Sequence, residues 1–219
     1  MIFINFKTYA EGSGERALVL GKIIEEVAST TQIKIIPVVA ATDIRELTQK
    51  IKCEVWAQNI NPAEFGAHTG AILPEAVFED GARGTFLNHS EDKFSDFWQL
   101  ELAVKRAREV GLKTLIFASD LEELKQILPL KSDYVSYEPP EFIGSATVSV
   151  ASAQPEVISR AVEIAKDFGI PLIVGAGIHS AQDVRTSLQL GAAGVAVASD
   201  VVKAADPRVQ LIDLTEGYK

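Results

Sequence analysis

The sequence predicts an α/β fold in which eight parallel strands, each followed by a helix, close into a (β/α)8 barrel. Short apolar runs rich in Val and Ile alternate with longer amphipathic stretches along all 219 residues. Buried strands that each lead into a crossover helix form a parallel sheet covered by helices. Eight such units favour closure of the sheet into a barrel. The alternative architecture is an open, doubly wound sheet.

The short apolar runs predict strands over residues 2–6, 34–39, 55–58, 84–87, 113–118, 134–137, 172–174 and 194–198. The stretches between them predict helices over residues 15–28, 43–50, 74–79, 93–110, 121–128, 155–168, 181–190 and 207–214. The reason is the helical spacing of their apolar residues. In the first helix these are Ala17, Leu18, Leu20, Ile23, Ile24 and Val27. No Ser- or Gly-rich linker divides the chain, so we expect one domain over residues 1–219.

The composition is that of a globular protein, and its charge argues against one class of partner. Hydrophobic residues make up 47% of the chain and charged residues 23%. The formal net charge of −9 does not suit a nucleic-acid surface, which needs a basic face to meet phosphates. No apolar run approaches the ~18 residues of a membrane span, and the first residues lack the pattern of a signal peptide. We therefore expect a cytoplasmic protein without nucleic-acid or membrane partners.

The sequence offers little for disulfide or metal chemistry. Cys53 is the only cysteine, so an internal disulfide is excluded. The three histidines, His68, His89 and His179, are far apart along the chain, which argues against a histidine-rich metal centre. We expect no metal site.

In a barrel of this kind the active site lies where the strands end, and polar residues follow the first strand. Asn5 and Lys7 are two residues apart, so in an extended segment both side chains point to the same side. A lysine that faces the barrel mouth is costly unless it meets an anion. By itself the motif is weak and is more typical of a solvated lysine beyond a strand end.

The fourth strand is followed by Asn88, His89, Ser90 and Glu91. Ser90 is a candidate N-cap for the next helix. The positive end of that helix would disfavour imidazolium, so His89 is expected to be neutral and able to donate one hydrogen bond. The alternative is a surface histidine at a helix start.

The sixth strand is followed by Glu138, Pro139 and Pro140. A proline keeps the preceding residue out of the helical region, so this carboxylate is expected on a stiff, extended backbone. Residues 141–146 mix apolar residues with glycine and suit a lid. The alternative is an acidic loop residue before a Pro-Pro turn.

Small residues follow the last two strands. The seventh loop reads Gly-Ala-Gly-Ile over residues 175–178, and the eighth begins with Ala198 and Ser199. In barrels these two loops often bind phosphate through backbone N–H groups, and small residues let that backbone approach a ligand. The two loops together predict a phosphate site that includes Gly177, Ala198 and Ser199.

Taken together and in this order, these motifs resemble the triosephosphate isomerase family over the whole chain. The family's Asn-x-Lys matches residues 5–7, its His-Ser-Glu matches residues 89–91, and its Tyr-Glu-Pro matches residues 137–139. Its lid is similar to Ile143 and Gly144, and its third loop is similar to residues 66–70. The resemblance implies the TIM-barrel fold.

The resemblance also implies an activity. This is the interconversion of dihydroxyacetone phosphate and D-glyceraldehyde 3-phosphate through an enediolate, a step of glycolysis and gluconeogenesis that needs no cofactor. The implied catalytic residues are the base Glu138, the electrophile His89, Lys7 and Asn5. The implied substrate-binding residues are Asn5, Phe6, Lys7, Ile143, Gly177, Ala198 and Ser199. A homo-oligomer is implied as well, a dimer or a tetramer with the loop from Asn61 to Gly70 at the interface.

The chain departs from the common bacterial and eukaryotic pattern of the family at several points. Residues 139–142 read Pro-Pro-Glu-Phe in place of Pro-Val-Trp-Ala, and the seventh loop lacks the usual Gly-Gly-Ser. Asn88 replaces a glycine, and Ala146 stands where many relatives have glycine. With the short length, these features resemble the compact archaeal-type branch. Ala146 bears on the opening of the lid and not on the chemistry.

Two other functions fit the same fold. A metal-dependent sugar-phosphate epimerase would need several His and Asp ligands at the strand ends, and the scattered histidines do not supply them. A barrel kept as a scaffold or partner-binding module would not need a base, an electrophile and a phosphate site together. Isomerase turnover measured with and without a chelator distinguishes the three.

Overall fold

Eight strands form a closed parallel barrel in a computed structural model that describes residues 1–140 and 150–219. The strands are β1 (Ile2–Asn5), β2 (Ile35–Val39), β3 (Trp56–Ala57), β4 (Gly84–Leu87), β5 (Lys113–Ala118), β6 (Tyr134–Tyr137), β7 (Leu172–Val174) and β8 (Gly194–Val197). Each pairs with the next along the chain, and β8 pairs with β1 to close the ring. The predicted (β/α)8 barrel is confirmed, and the open sheet is excluded.

The helices cover the outside of this barrel. They are α1 (Glu15–Thr31), α2 (Ala41–Lys50), α3 (Pro74–Glu79), α4 (Phe97–Val110), α5 (Leu121–Ile127), α6 (Val150–Ala153), α7 (Pro155–Asp167), α8 (Ala181–Gln189), α9 (Ser199–Val202) and α10 (Pro207–Glu216). Two short 3-10 turns lie at Ala10–Gly12 and Leu128–Leu130. None of the helices within the described ranges has the length and apolar character that crossing a bilayer requires.

The fourth helix begins later than the sequence suggests, and this affects the site. The apolar pattern predicts its start at residue 93, but α4 begins at Phe97. Asp96 is its N-cap and accepts a hydrogen bond from the backbone N–H of Gln99 at 2.9 Å. The capping carboxylate satisfies a helix donor that would otherwise be unpaired, and so fixes the start of the helix. Residues 88–95 are therefore loop, where the sequence suggested a helix start.

Side chains alternate between two core layers. Along β1, Ile2 and Ile4 pack outward against the helices, whereas Phe3 points into the barrel. This alternation follows from the two-residue period of a strand. The inward layer consists of Phe3, Ile36, Val38, Trp56, Phe86, Leu115, Phe117, Ile173 and Ala196. The interior of the barrel is therefore filled by apolar side chains and is not a channel.

Trp56 is the largest fully buried side chain of the barrel interior. Its ring lies 5.0 Å from the ring of Phe3 in an edge-on arrangement, which is a favoured geometry for aromatic pairs. The indole occupies the space beside Gly84 on the neighbouring strand, where a Cβ atom would overlap its ring atoms. Gly84 is thus required by the packing of Trp56.

Replacing Gly84 by alanine should destabilise the barrel. The added methyl group must displace the Trp56 ring, and overpacking of this kind costs about 1–3 kcal/mol, which lowers the melting temperature by roughly 2–4 °C per kcal/mol in a chain of this size. The matched control is Gly21→Ala in the middle of α1. Its new methyl group would meet only the flexible ends of Ile51 and Leu47, the closest at 3.3 Å.

The control gains up to ~1 kcal/mol of helix propensity, so it should melt at or above the temperature of the wild type. Thermal unfolding at one fixed protein concentration measures both changes. Equal losses in the two variants would show that the contact between Gly84 and Trp56 does not limit the packing.

Candidate active site

A pocket lies at the carboxyl ends of the barrel strands and brings together most of the predicted site residues. The predicted residues that line it are Asn5, Lys7, His89, Glu138, Gly177, Ala198 and Ser199. They come from the ends of the first, fourth, sixth, seventh and eighth strands, and they meet because parallel strands all end at the same rim. Among the described residues that line this pocket, Lys7 is the only lysine or arginine.

Two predicted residues do not belong to the described pocket. Phe6 is fully buried and packs in the layer between the strands and the helices. Its side chain therefore does not line the pocket. Ile143 and the expected lid, residues 141–146 with Gly144 and Ala146, lie outside the described residues.

Lys7 reaches the pocket by a route that the sequence did not suggest. The strand ends at Asn5, and Lys7 adopts a left-handed φ of 46°. The prediction that strand alternation directs the Lys7 side chain is therefore wrong. The side-chain oxygen of Asn5 accepts a hydrogen bond from the backbone N–H of Lys7 at 3.0 Å, and Gln58 donates to the Lys7 carbonyl at 2.8 Å. These bonds hold the turn that aims Lys7.

The ammonium group of Lys7 is paired before any ligand arrives. Its Nζ donates to Oε1 of Glu91 at 2.7 Å, and the Lys7 side chain is only 13% exposed, against 56% for Glu91. A mostly exposed carboxylate forms a weak ion pair because water screens it. The pair therefore orients Lys7 over the pocket while leaving its charge open to competition by an anion.

His89 enters the pocket because the backbone turns at the residue before it. Asn88 has φ of 60°, a conformation that asparagine tolerates better than most residues. Its buried side chain donates to the carbonyl of Phe117 at 3.0 Å and to Glu123 at 2.9 Å. Ser90 does not cap a helix, so the predicted N-cap is wrong. The helix dipole is therefore also wrong as an explanation for a neutral His89.

His89 is nevertheless held neutral by its surroundings. Burial, and next the nearby charge of Lys7, lower its pKa to about 4, although the charge of Glu91 opposes the change. Nδ1 accepts a hydrogen bond from the backbone N–H of Glu91 at 3.2 Å. The proton of the neutral ring is therefore on Nε2, which faces Glu138.

Glu138 is the second titratable group of the pocket, and its carboxyl group is almost completely buried. Burial raises its pKa to about 7, while Lys7 and a hydrogen bond from Ser90 act in the opposite direction. Ser90 Oγ lies 3.4 Å from Glu138 Oε2. A carboxylate with a pKa near neutrality is a competent base, because it is ionised in a useful fraction and still binds a proton well.

The two groups face the same small space. Nε2 of His89 lies 3.4 Å from Oε2 of Glu138. The space beside Glu138 exists only because residue 175 is glycine, since a Cβ there would lie 2.9 Å from Oε1. A buried base and a neutral proton donor thus stand together at one end of the pocket.

The other end of the pocket is built from backbone. Gly177 has φ of 71° and its neighbour Ala176 has φ of 66°. Within the described ranges, the backbone N–H groups of Gly177, Ser199 and Asp200 donate no hydrogen bond to the protein. Unpaired N–H groups at the edge of a pocket are donors for an anion.

Several contacts in the pocket were not anticipated from the sequence. The ring of Phe117 packs edge-on against His89 with centroids 4.8 Å apart, and His179 bonds to Asp200. The sequence motif includes Ser90 and Glu91, but it does not predict the contact of Ser90 with Glu138 or that of Glu91 with Lys7. Only the fold reveals these pairs, because their members are distant in the chain or lie in an irregular loop.

The described residues contain no group of three or more His, Cys, Asp or Glu side chains arranged to hold a metal ion. At the end of the pocket that is built from backbone, the donors are amide N–H groups, which bind anions and not cations.

Nuclear magnetic resonance of the imidazole nitrogens tests the state of His89. We expect its Nε2 to be protonated and its Nδ1 unprotonated between pH 5.5 and 8, since burial and Lys7 hold its pKa near 4. Lys7→Met removes a charge that lowers this pKa, so the midpoint should move upward. Protonation of His89 near the ordinary value of ~6.5, or a proton on Nδ1, would contradict this electrostatic account.

Comparisons with known proteins agree over the whole chain. A sequence model of the family described as triosephosphate isomerase matches residues 1–216. The triosephosphate isomerase of Saccharolobus solfataricus is 43% identical over 208 residues, which cover 94% of this chain and 91% of that protein. That of Metallosphaera sedula is 41% identical over 218 residues, which cover 99% and 95%.

A crystal structure of triosephosphate isomerase from Bartonella henselae superimposes with a TM-score of 0.76 and covers 99% of this chain and 98% of that chain. At 17% identity it supports the fold alone. The match of the family model and the two close relatives goes further, because each extends over nearly the full length. The chain therefore belongs to the triosephosphate isomerase family.

Proposed function

We propose that this protein interconverts dihydroxyacetone phosphate and D-glyceraldehyde 3-phosphate without a cofactor. The observation that carries the proposal is the pair formed by Glu138 and His89, with Nε2 and Oε2 3.4 Å apart beside the Lys7 ammonium. A glutamate base with a neutral histidine is the known chemical pattern of this family. A cytoplasmic location, expected from the sequence, is part of the same proposal.

The reaction needs two proton transfers on neighbouring carbons. Glu138 removes a proton from the carbon next to the carbonyl of dihydroxyacetone phosphate, and the electron pair moves to the carbonyl oxygen to give an enediolate. His89 donates its Nε2 proton to that oxygen and recovers a proton from the neighbouring hydroxyl. Glu138 then returns its proton to the other carbon, so no atom is gained or lost.

The surrounding residues stabilise the charge that develops. Lys7 places a cation near the oxygens of the enediolate, and a charge in a poorly solvated site acts more strongly than in water. Asn5 holds the turn that orients Lys7. The N–H groups of Gly177 and Ser199, which have no acceptor among the described residues, suit the oxygens of a phosphate group, and Ala198 lines the same end of the pocket. Phe6 and Ile143 belong to the same proposed binding set, as the family resemblance implies.

Replacing Glu138 by glutamine tests the assignment of the base. A group that transfers protons in the transition state contributes about 10²- to 10⁴-fold, so kcat should fall by that factor while KM changes less. The matched control is Glu122→Gln, because the Glu122 side chain is 79% exposed and lies in α5. It should keep wild-type kinetics.

A coupled assay of isomerase turnover, run with and without a chelator, provides the measurement. Wild-type turnover should not respond to the chelator. Near wild-type kcat in Glu138→Gln would assign the base to another residue, and loss of wild-type turnover with the chelator would favour the metal-dependent epimerase chemistry.

We also propose that the active form is a homo-oligomer, either a dimer or a tetramer, with the loop from Asn61 to Gly70 at an interface. Two hydrogen bonds between Asn61 and Ile72, of 2.9 and 2.7 Å, close the base of this loop. Residues 64–70 are all exposed, and Phe65 is 73% exposed. An aromatic side chain this exposed is available for contact with a partner. By resemblance, Thr69 would approach the neighbouring subunit's site.

Phe65→Asp should weaken this interface, because a carboxylate in an apolar contact has to be desolvated. We expect a lower mass by sedimentation and a loss of turnover that follows dissociation. Phe168→Asp, at an exposed position in another part of the chain, is the control and should change neither. A wild-type chain that is monomeric and fully active at assay concentration would refute the proposal.

A further inference from the structure

His179 connects the seventh loop to three helices. Its backbone N–H donates to Oδ2 of Asp183 in α8 at 3.1 Å, and its carbonyl accepts from Nε2 of Gln210 in α10 at 2.7 Å. Its Nδ1 lies 2.7 Å from Oδ1 of Asp200 in α9. No role in the proposed reaction uses this residue, although it borders the pocket.

Only one of the two ring nitrogens makes this contact. An ionised carboxylate can only accept hydrogen bonds, so Nδ1 of His179 is the donor to Asp200. Nε2 is buried and has no hydrogen-bond partner among the described residues. Within the described residues, the imidazole ring therefore makes its hydrogen bond through Nδ1 alone.

The bond between His179 and Asp200 spans the two loops whose N–H groups have no acceptor in the described part of the chain. His179 is two residues after Gly177, and Asp200 directly follows Ser199. Strands β7 and β8 are paired as far as Val174 and Val195. Beyond that point, the bond between His179 and Asp200 is the only hydrogen bond that joins the seventh and eighth loops in the described part of the chain. The bond thus links the loop that contains Gly177 to the helix that begins at Ser199.

The same bond removes a competitor for these donors. Asp200 is adjacent to the free N–H of Ser199, and acidic side chains in such positions are attracted to unpaired N–H groups. Its carboxylate accepts from His179 and from no backbone N–H in the described ranges. His179 therefore provides a partner for this carboxylate, which would otherwise compete with a phosphate for the N–H of Ser199.

We propose that His179 is a positioning residue for the phosphate-binding loops, acting through Nδ1 and the carboxylate of Asp200. The proposal deepens and rests on the proposed function. His179 does not touch the reacting carbons. It keeps the two sets of N–H donors at a fixed spacing, so that the phosphate group of the substrate meets a site that is already formed.

Three substitutions of His179 test the role of Nδ1. Asparagine places an amide donor near the position of Nδ1, glutamine places one near the position of Nε2, and alanine removes both. His179→Ala and His179→Gln should raise KM by about tenfold or more, with kcat within about threefold, because uniform binding is lost. His179→Asn should restore KM to within about threefold of the wild type.

Inorganic phosphate is the direct probe of the loops. Its dissociation constant, measured by calorimetry, should rise with KM in the alanine and glutamine variants and recover in the asparagine variant. Arg185→Ala removes a hydrogen bond from α8 to Glu216 outside the pocket. As the control for general loosening of this region, it should change neither constant.

A second pair of variants tests the same bond from the other side. Asp200→Asn keeps an acceptor oxygen and should bind phosphate nearly as the wild type does, whereas Asp200→Ala should resemble His179→Ala. These variants decide the question if His179→Ala fails to fold.

The proposal is overturned if the asparagine and alanine variants at His179 have equal phosphate affinity, or if kcat falls while KM is unchanged. Failure of the proposed function is distinct from this. The wild type would then lack isomerase turnover, and the phosphate affinities of the variants would still test the role of the bond between His179 and Asp200.

Discussion

Alternate side chains of each strand point into and out of the closed barrel, and this constraint sets both the core and the site. Phe3 and Trp56 fill the interior because they occupy inward positions, and Gly84 leaves the room that the indole needs. Two residues beyond Phe3, the same alternation places Asn5 at the mouth. The apolar interior therefore ends directly beneath the polar pocket, and burial of the pocket follows from closure of the sheet.

That burial has opposite consequences for the two central groups. It raises the pKa of Glu138 to about 7 and lowers the pKa of His89 to about 4, because removal from water disfavours the charged form of each. Lys7 lowers both values, which favours an ionised glutamate beside a neutral histidine. Above pH 7 the pocket thus contains the anionic base and the neutral donor that proton transfer between neighbouring carbons requires. No helix dipole is needed for this state.

The backbone around the pocket is unusual in the way expected of a functional site. Five described residues other than glycine have positive φ, and three of them, Lys7, Asn88 and Ala176, border the pocket or precede a residue that does. Such conformations cost energy and persist where neighbours hold them. Hydrogen bonds of the Asn5 and Asn88 side chains hold the first two. These turns aim side chains that strand geometry alone would direct elsewhere.

The order of strands and helices was determined by the sequence, because the periods of apolar residues are local properties of the chain. The sequence also predicted that the motifs around Lys7, His89 and Glu138 form one site, because parallel strands bring their ends to one rim. Only the tertiary structure decided how each group is aimed. It replaced the expected helix start at Ser90 with a loop, left Phe6 in the outer core, and paired Lys7 with Glu91 and His179 with Asp200. Desolvation and contacts between distant residues depend on the closed barrel, and no local pattern encodes them.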